Sequence, residues 1–231
     1  MDRNLCRDRE AIPETYSAPL ATRIVGGGAY ARSREKGVAV SEGATIGDDG
    51  LARCPWGAEP AIYREYHDTE WGRPIRGDDE LFERISLEAF QSGLSWLTIL
   101  RKREAFRAAF AGFRIEAVAA FTEEDEARLL DDAGIVRNRA KIAATIANAR
   151  AAQRLDGGLT ELIWSFAPPQ RERPKAIGEI PAVTPESTAL SKALKKQGFR
   201  FVGPTTAYAM MQAIGMVDDH LAECHTEPER R

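Results

Sequence analysis

Short helices, each with an identifiable start or stop signal, dominate the chain from Asp78 to Gly215. Residues 78–90 carry apolar side chains at helical spacing behind Asp78, a candidate N-cap, and residues 95–110 repeat the pattern behind Ser95. Comparable signals predict helices over 122–134, from 138 onward, over 187–198 and over 204–215. Strand-like runs such as 199–202 are short and do not alternate convincingly. The pattern therefore predicts a mostly α fold.

The segment before Cys54 differs from the rest in composition. Residues 1–50 are rich in Gly, Ser, Arg, Ala and Asp and contain few large apolar residues. Such a segment buries too little apolar surface to offset the entropy lost on ordering. We expect residues 1–50 to be a disordered N-terminal extension and residues 51–231 to be a single helical domain.

Composition excludes several classes of protein. No apolar run approaches the ~20 residues that span a bilayer, and the N-terminus lacks the apolar stretch of a signal peptide, so we expect a cytoplasmic protein. Three cysteines in 231 residues are too few for a disulfide scaffold. The net charge of −3 argues against a purely electrostatic DNA-binding protein. Basic clusters at 101–103, 137–141 and 192–200 could nevertheless form a positive stripe.

Two predicted helices between residues 122 and 150 are joined by a tight turn at 133–138. Arg137, Arg139 and Lys141 lie at the start of the second helix. Free N–H groups at a helix start, together with basic side chains, bind phosphate. An ordinary helical hairpin inside a bundle is the alternative, and for this stretch taken alone it is the more common case.

Cysteine and histidine occur in pairs near both ends of the helical region. His220 and Cys224 are four residues apart and would share one face of a helix, and Cys54 and His67 lie far upstream. Two thiolates and two imidazoles form a closed tetrahedral zinc site of the structural kind. The spacing alone leaves the other interpretation open, in which the cysteines are small core residues. His225 is a possible spare ligand, and Cys6 lies apart in the N-terminal segment.

Several motifs occur in order between Cys54 and Cys224: C54-P-W-G, Y66-H-D-T-E-W-G72, L87-E-A-F-Q-S-G-L-S-W-L-T-I-L100, D132-A-G-I-V-R-N-R-A-K-I142, I163-W-S-F166, A193-L-K-K-Q-G-F-R-F-V-G203 and V217-D-D-H220. Together they resemble DNA-3-methyladenine glycosylase I, a family of the helix-hairpin-helix glycosylase superfamily. The resemblance implies the helix-hairpin-helix DNA glycosylase fold, with a structural zinc that joins the N- and C-terminal parts. The chain departs from the family pattern at Pro55, Ala89, Pro204–Thr205 and His225.

The same resemblance implies roles for individual residues. Glu88 matches the carboxylate that contacts the damaged base, and we take it as the catalytic residue. Aromatic residues match positions that stack on the base or surround it: Tyr66, Trp96, Trp56, Trp71 and Tyr63. Gly93 and Leu94 match the loop that enters the DNA stack. The phosphate-gripping hairpin includes Gly134, Arg137, Arg139 and Lys141, and the zinc ligands are Cys54, His67, His220 and Cys224.

The implied reaction is the hydrolytic removal of 3-methyladenine from double-stranded DNA by a monomeric enzyme. An enzyme that acts on a base must flip it out of the duplex. A cationic methylated base is already a good leaving group, so a strong general base is dispensable, and Asp132 and Asp218 are candidates only because they are acidic. Water as the nucleophile makes the enzyme monofunctional.

Two other functions fit parts of the sequence. A non-catalytic helix-hairpin-helix DNA-binding module would need the hairpin but no pocket made of Glu88, Tyr66 and Trp96. A metal enzyme would use the Cys and His residues to activate water, but four protein ligands leave no open position on the metal.

Overall fold

The computed structural model describes residues 43–227, which form ten α-helices and a two-stranded sheet. The elements are β1 Thr45–Ile46, β2 Ala52–Arg53, α1 Pro55–Ala58, α2 Ala61–Thr69, α3 Asp78–Gln91, α4 Trp96–Ala109, α5 Ile115–Ala119, α6 Glu123–Asp131, α7 Arg139–Ala152, α8 Gly158–Trp164, α9 Pro185–Lys196 and α10 Pro204–Ala213, with 3₁₀ turns at Ala111–Phe113 and Ile177–Glu179. The mostly α prediction is confirmed. In the part of the chain described, no helix is long and apolar enough to cross a membrane.

Most of the N-terminal segment, 1–42, lies outside the described residues. The segment's last residues belong to the fold, because β1 pairs antiparallel with β2 and Thr45 lies opposite Arg53. The described fold therefore includes residues ahead of residue 51. The prediction of a disordered extension applies otherwise to residues that the structure does not describe.

Helix α3 is the central element, with Phe82, Ile85 and Phe90 almost fully buried. It packs against α4, α7, α8 and α10. The sequence predicted Asp78 as the N-cap of α3, but the N-cap is Gly77. The Asp78 carboxylate instead accepts hydrogen bonds from the backbone N–H groups of Leu159 and Thr160, at 3.0 and 2.8 Å. Asp78 thus caps α8, a helix that follows 80 residues later and that local sequence could not indicate.

Other predicted helix starts are confirmed by their capping bonds. The Ser95 hydroxyl accepts the N–H of Thr98 at the start of α4, and Thr122 and Asp125 form a capping box on α6. Asn138 caps α7. The predicted end of α6 at Gly134 is three residues late, because Asp132 is extended and the helix ends at Asp131. The turn between α6 and α7 is correspondingly longer than the sequence suggested.

The C-terminal segment returns to the start of the described chain. The His225 N–H donates to the carbonyl of Ala52 at 2.8 Å, and the Leu221 N–H donates to the Cys54 sulfur at 3.3 Å. Cys54, Leu221 and Cys224 form a small buried cluster apart from the main core. Both ends of the helical region therefore meet at one place.

Candidate functional site

Five helices contribute side chains to a recess walled by aromatic rings, which we term the aromatic recess. Its lining residues are Trp56 of α1, Tyr66 of α2, Trp71, Glu88 and Gln91 of α3, Trp96 of α4 and Ala209 of α10. The rings touch one another in sequence: centroids are 4.9 Å apart for Trp56 and Trp71, and 5.4 Å apart for Tyr66 and Trp96. The recess therefore offers a nearly continuous π surface with a single acidic side chain among its lining residues.

Glu88 supplies that charge from the middle of α3. Its side chain is 6% exposed. Burial raises the pKa of Glu88 to about 7, and the guanidinium of Arg84 acts in the opposite direction. A carboxylate that ionises near neutrality beside aromatic faces can accept hydrogen bonds from a ligand's N–H groups and can attract a positive charge.

The structure brings four of the five predicted aromatic residues to the recess wall. Tyr63 is the exception: it is 1% exposed and does not line the recess. Its ring packs edge-on against Trp56 with centroids 6.0 Å apart, so it supports the wall from behind.

The sequence analysis did not identify three residues near Glu88. Gln91 and Ala209 line the recess, and Arg84 lies behind its wall. Arg84 had a readable signal, since residues i and i+4 of a helix share a face and Arg84 precedes Glu88 by one turn. Ala209 had none, because α10 meets α3 only through tertiary packing.

The Gly93–Leu94 loop joins α3 to α4 at the mouth of this region. Gly93 has φ +82°, a conformation that favours glycine, and the space around it is open. Leu94 is 36% exposed, so a large apolar side chain stands at the surface. Its N–H donates to the Gln91 carbonyl at 2.6 Å, which holds the turn. An exposed leucine on a tight, hydrogen-bonded turn can insert into a partner.

The turn between α6 and α7 presents two of the predicted phosphate contacts. Arg137 and Arg139 are exposed, and the ion pair of Arg139 with Glu126 spans 3.4 Å at the surface. The Gly134 N–H donates to the Asp132 carboxylate at 2.7 Å, which orders the turn. Both arginines are thus exposed at or just before the start of α7, where the sequence placed them.

Lys141 departs from the surface position that the sequence predicted. It is 7% exposed, and its ammonium donates to the carbonyls of Phe90 and Ser92 at 2.8 and 2.6 Å. Burial lowers the pKa of this ammonium. Since its donors are directed at carbonyls at the end of α3, the ammonium of Lys141 is not offered to a phosphate. It ties α7 to the Gly93–Leu94 loop instead.

Cys54, His67, His220 and Cys224 meet as one buried group, which we term the Cys–His cluster. Their ligand atoms lie within 4.8 Å of one another. The Cys224 sulfur is 3.5 Å from His67 Nε2 and 3.6 Å from His220 Nδ1. Hydrogen bonding from Cys54, and then from His220 and His67, holds the pKa of the Cys224 thiol far below its usual range. Two sulfurs and two imidazoles at this spacing could hold a metal ion.

The second nitrogen of each imidazole is held by a fixed acceptor. His67 Nδ1 is 2.8 Å from the Asp68 carboxylate, and His220 Nε2 is 3.2 Å from the Trp71 carbonyl. Each acceptor selects the tautomer that leaves the other nitrogen, His67 Nε2 or His220 Nδ1, free to face the sulfurs. This outer arrangement is typical of histidines that ligate metals.

Two glycines make room for these imidazoles. A Cβ on Gly57 would lie 2.5 Å from the His67 ring, and one on Gly72 would lie 2.9 Å from His220 Nε2. Any larger residue at either position would push a histidine away from the cluster. The local sequences C-P-W-G and E-W-G thus shape the cluster as well as the recess.

His225 does not join the Cys–His cluster as a spare ligand. Its Nε2 is 3.1 Å from Asp68, on the outer side of His67. Burial opposes ionisation of Asp68, but hydrogen bonds from Arg53, His67 and His225 lower its pKa to about 2. His225 therefore helps to hold the carboxylate that orients His67.

Neither of the other acidic candidates reaches the aromatic recess. Asp132 is used in the α6–α7 turn, and Asp218 accepts from Arg173 Nε at 2.8 Å. Among residues 43–227, Glu88 is the acidic side chain that lines the recess.

Known proteins resemble this chain over nearly all of its described part. The sequence model of the methyladenine glycosylase family matches residues 56–227. DNA-3-methyladenine glycosylase 1 of Escherichia coli is 48% identical over 183 residues, covering 77% of this chain and 98% of that protein. DNA-3-methyladenine glycosylase of Haemophilus influenzae is 45% identical over 178 residues, covering 74% of this chain and 96% of that protein.

A solved structure agrees in fold. The 3-methyladenine DNA glycosylase I of Staphylococcus aureus, determined to explain its recognition of 3-methyladenine, superposes with a TM-score of 0.74 at 35% identity. The alignment covers 78% of this chain and 98% of that one.

Proposed function

Because this chain belongs to the methyladenine glycosylase family, we propose that it is a DNA glycosylase of base-excision repair that hydrolytically removes 3-methyladenine from alkylated double-stranded DNA. The observation that carries the proposal is the buried carboxylate of Glu88 in a wall of aromatic rings. A site of this kind suits a flipped-out, positively charged purine.

Selectivity follows from charge. Adenine methylated at N3 is cationic while it remains attached to the sugar, whereas normal adenine is neutral. A cation is attracted to the electron-rich faces of Tyr66 and Trp96, and stacking of a base on an aromatic ring contributes about 1–3 kcal/mol. Glu88 adds charge-assisted hydrogen bonds to the base's N–H groups. Among the described residues, the Trp96 Nε1–H is a buried donor without an acceptor, and a bound base could supply one.

Catalysis then depends on electrostatic stabilisation rather than on a strong general base. As the bond from the base to the sugar breaks, positive charge moves from the base to the sugar, and Glu88 stabilises the charge distribution of the transition state. Water attacks the sugar carbon, the base leaves, and one proton is released. No lysine lines the aromatic recess as the described residues define it, so a covalent amine intermediate is not expected.

Contacts outside the recess would hold the damaged duplex. Leu94, next to Gly93, would fill the gap left in the stack by the extruded base, as apolar wedges do. Arg137, Arg139 and the backbone around Gly134 would bind phosphate on one strand. The Lys141 ammonium, being buried, would support the Gly93–Leu94 loop.

The Cys–His cluster would hold a zinc ion in a structural role. Four protein ligands complete a tetrahedral site, so the ion would fasten the chain's two ends and would not touch substrate. The expected working form is a monomer in the cytoplasm.

Chromatography of the free bases released from methylated duplex DNA tests the proposal. We expect 3-methyladenine to be released while 7-methylguanine stays in place. No released base from a folded, zinc-loaded protein would instead favour the non-catalytic DNA-binding module. A chelation series excludes the metal-enzyme alternative if activity falls only as the fold loosens.

A further inference from the structure

Arg84 is a buried cation in an unusual place. It is 5% exposed on α3, and it lies behind the aromatic recess rather than in its lining. Its Nη1 donates to the Tyr66 hydroxyl at 2.8 Å. Its guanidinium carbon is 5.4 Å from the Tyr66 ring centroid and 5.7 Å from that of Trp96. One guanidinium thus touches both aromatic residues that would stack on a base.

A buried charge is costly unless an opposite charge offsets it. Within residues 43–227, Arg84 has no carboxylate in salt-bridge contact, and Glu88, one helical turn later, is the acidic group of the recess. Other charged or polar groups around α3 have partners of their own. They are Glu70 with Arg103, Glu83 with Arg107, Lys141 with backbone carbonyls, and Tyr208 with Asp219. Of the three carboxylates that act on Arg84, which are Glu88, Glu70 and Glu83, Glu88 acts most strongly and is the one that lines the recess.

We propose that Arg84 is a positioning residue of the aromatic recess, whose guanidinium favours the ionised form of Glu88, one helical turn away, and anchors the Tyr66 ring. The catalytic effect of Arg84 rests on the proposed function, whereas its electrostatic effect on Glu88 does not. Burial favours the protonated form of Glu88, and a neutral carboxyl would lose its attraction for a cationic base. Arg84 supplies the opposing charge from outside the recess, so it does not occupy the space of the base.

The test compares Arg84→Gln, which removes the charge but keeps hydrogen-bond donors, with Arg84→Lys, which keeps the charge. The first measurement is a carbon-13 NMR titration of the Glu88 carboxyl, assigned by its loss in Glu88→Gln. We expect the midpoint to rise by about 1 pH unit or more in Arg84→Gln and to stay near the wild-type value in Arg84→Lys. Equal midpoints in all three proteins would overturn the inference.

The second measurement is the pH dependence of single-turnover release of 3-methyladenine. In Arg84→Gln, the acidic limb of this pH–rate profile should move to higher pH by as many pH units as the NMR midpoint of Glu88 moves. In Glu88→Gln, the acidic limb should be absent. A loss of rate in Arg84→Gln that is equal at every pH would mean that Arg84 only supports the fold. If wild-type protein releases no base, the proposed function fails, while the NMR titration still decides the role of Arg84.

A double-mutant cycle covers the case in which Arg84→Gln folds poorly. Because that substitution leaves Glu88 without a counter-charge, it should destabilise the protein less when Glu88→Gln is also present. Urea unfolding of the four proteins gives the coupling. An equal destabilisation with and without Glu88→Gln would contradict the proposal.

Discussion

Single side chains carry the chemistry of this protein, and their burial sets their properties. Glu88 and Arg84 are both almost fully buried one turn apart on α3, and the charge of Arg84 favours the ionised form of Glu88. Asp68, in contrast, is held as a carboxylate by three hydrogen-bonding neighbours. Substitutions that keep shape but change charge are therefore the informative ones.

Replacement of Glu88 by Gln should lower the rate of 3-methyladenine release by about 30- to 1,000-fold, because one charged contact to the transition state is lost. Single-turnover kinetics on methylated duplex DNA measure the effect. Glu83→Gln on the same helix is the matched control, since Glu83 pairs with Arg107 and does not line the recess. Equal rates for Glu88→Gln and wild type would contradict the assigned role.

The same substitution should stabilise the fold at neutral pH. The folded-state pKa of Glu88, about 7, lies above its ordinary value of 4.5, so folded protein binds more protons than unfolded protein between these values. The free energy of unfolding therefore falls as pH rises from 4.5 to 7, by at most about 3 kcal/mol, and stays lower above that range. Urea unfolding of Glu88→Gln should show a gain at pH 8 that disappears near pH 4.5. A gain that did not change with pH would refute this explanation.

Helices α3 and α7 meet at a junction that links the Gly93–Leu94 loop to the hairpin. Lys141 makes this junction by donating from α7 to two carbonyls at the end of α3. Arg137 and Arg139 stand at the same helix start but face outward. Lys141 therefore stabilises the inside of the fold, whereas Arg137 and Arg139, only a few positions earlier, lie on its surface.

Lys141→Met should destabilise the protein by about 1–3 kcal/mol, because two buried carbonyls lose their donor. The displaced loop should also slow base release by about 10- to 100-fold. Thermal unfolding and single-turnover assays measure the two effects. Lys192→Met, at an exposed position of α9, is the control and should change neither. Unchanged stability in Lys141→Met would mean that these hydrogen bonds do not matter.

Arg139→Gln should weaken DNA binding without lowering the melting temperature, since its surface ion pair with Glu126 contributes little. The slope of log K against log salt should decrease by about 1, the value for one lost phosphate contact. Arg154→Gln, beyond the opposite end of α7, serves as the matched surface control. An unchanged salt slope in Arg139→Gln would remove this residue from the DNA interface.

The two ends of the described chain are joined by the Cys–His cluster, which brings together residues as distant in sequence as Cys54 and Cys224. The backbone supports the same closure, because Ala52 and His225 are hydrogen-bonded. The cluster lies beside the aromatic recess, since Trp71 lines the recess and its carbonyl accepts from His220. Closure of the chain and placement of the recess wall are thus coupled.

Cys224→Ser should lower zinc content and stability more than it changes chemistry in the recess. A loss of about 3 kcal/mol would reduce the melting temperature by about 6–12 °C. Elemental analysis and thermal unfolding measure these effects. Cys6→Ser is the matched control, at a position outside the described residues, and should change neither. Unchanged melting in Cys224→Ser would refute a fastening role for the cluster.

Local signals in the chain were sufficient for α3, α4, α6, α7, α9 and α10 but did not indicate α1, α2, α5 or α8, and the choice of site residues came from the family resemblance. Capping by Ser95, Thr122 and Asn138 depends on neighbours within three positions, so these helix starts could be predicted from the sequence. The motifs around Glu88 and the Cys–His pairs were likewise continuous stretches. Their assigned roles remain predictions until the variants are measured.

Tertiary packing alone decided which of these side chains face a ligand and which face the protein. Lys141 is buried because the end of α3, about 50 residues earlier, lies against α7. Asp78 caps α8 across 81 residues, and Arg84 contacts Tyr66 from another helix. The physical reason is range: periodicity and capping act over one or two helical turns, whereas burial and counter-charge depend on which distant segments pack together.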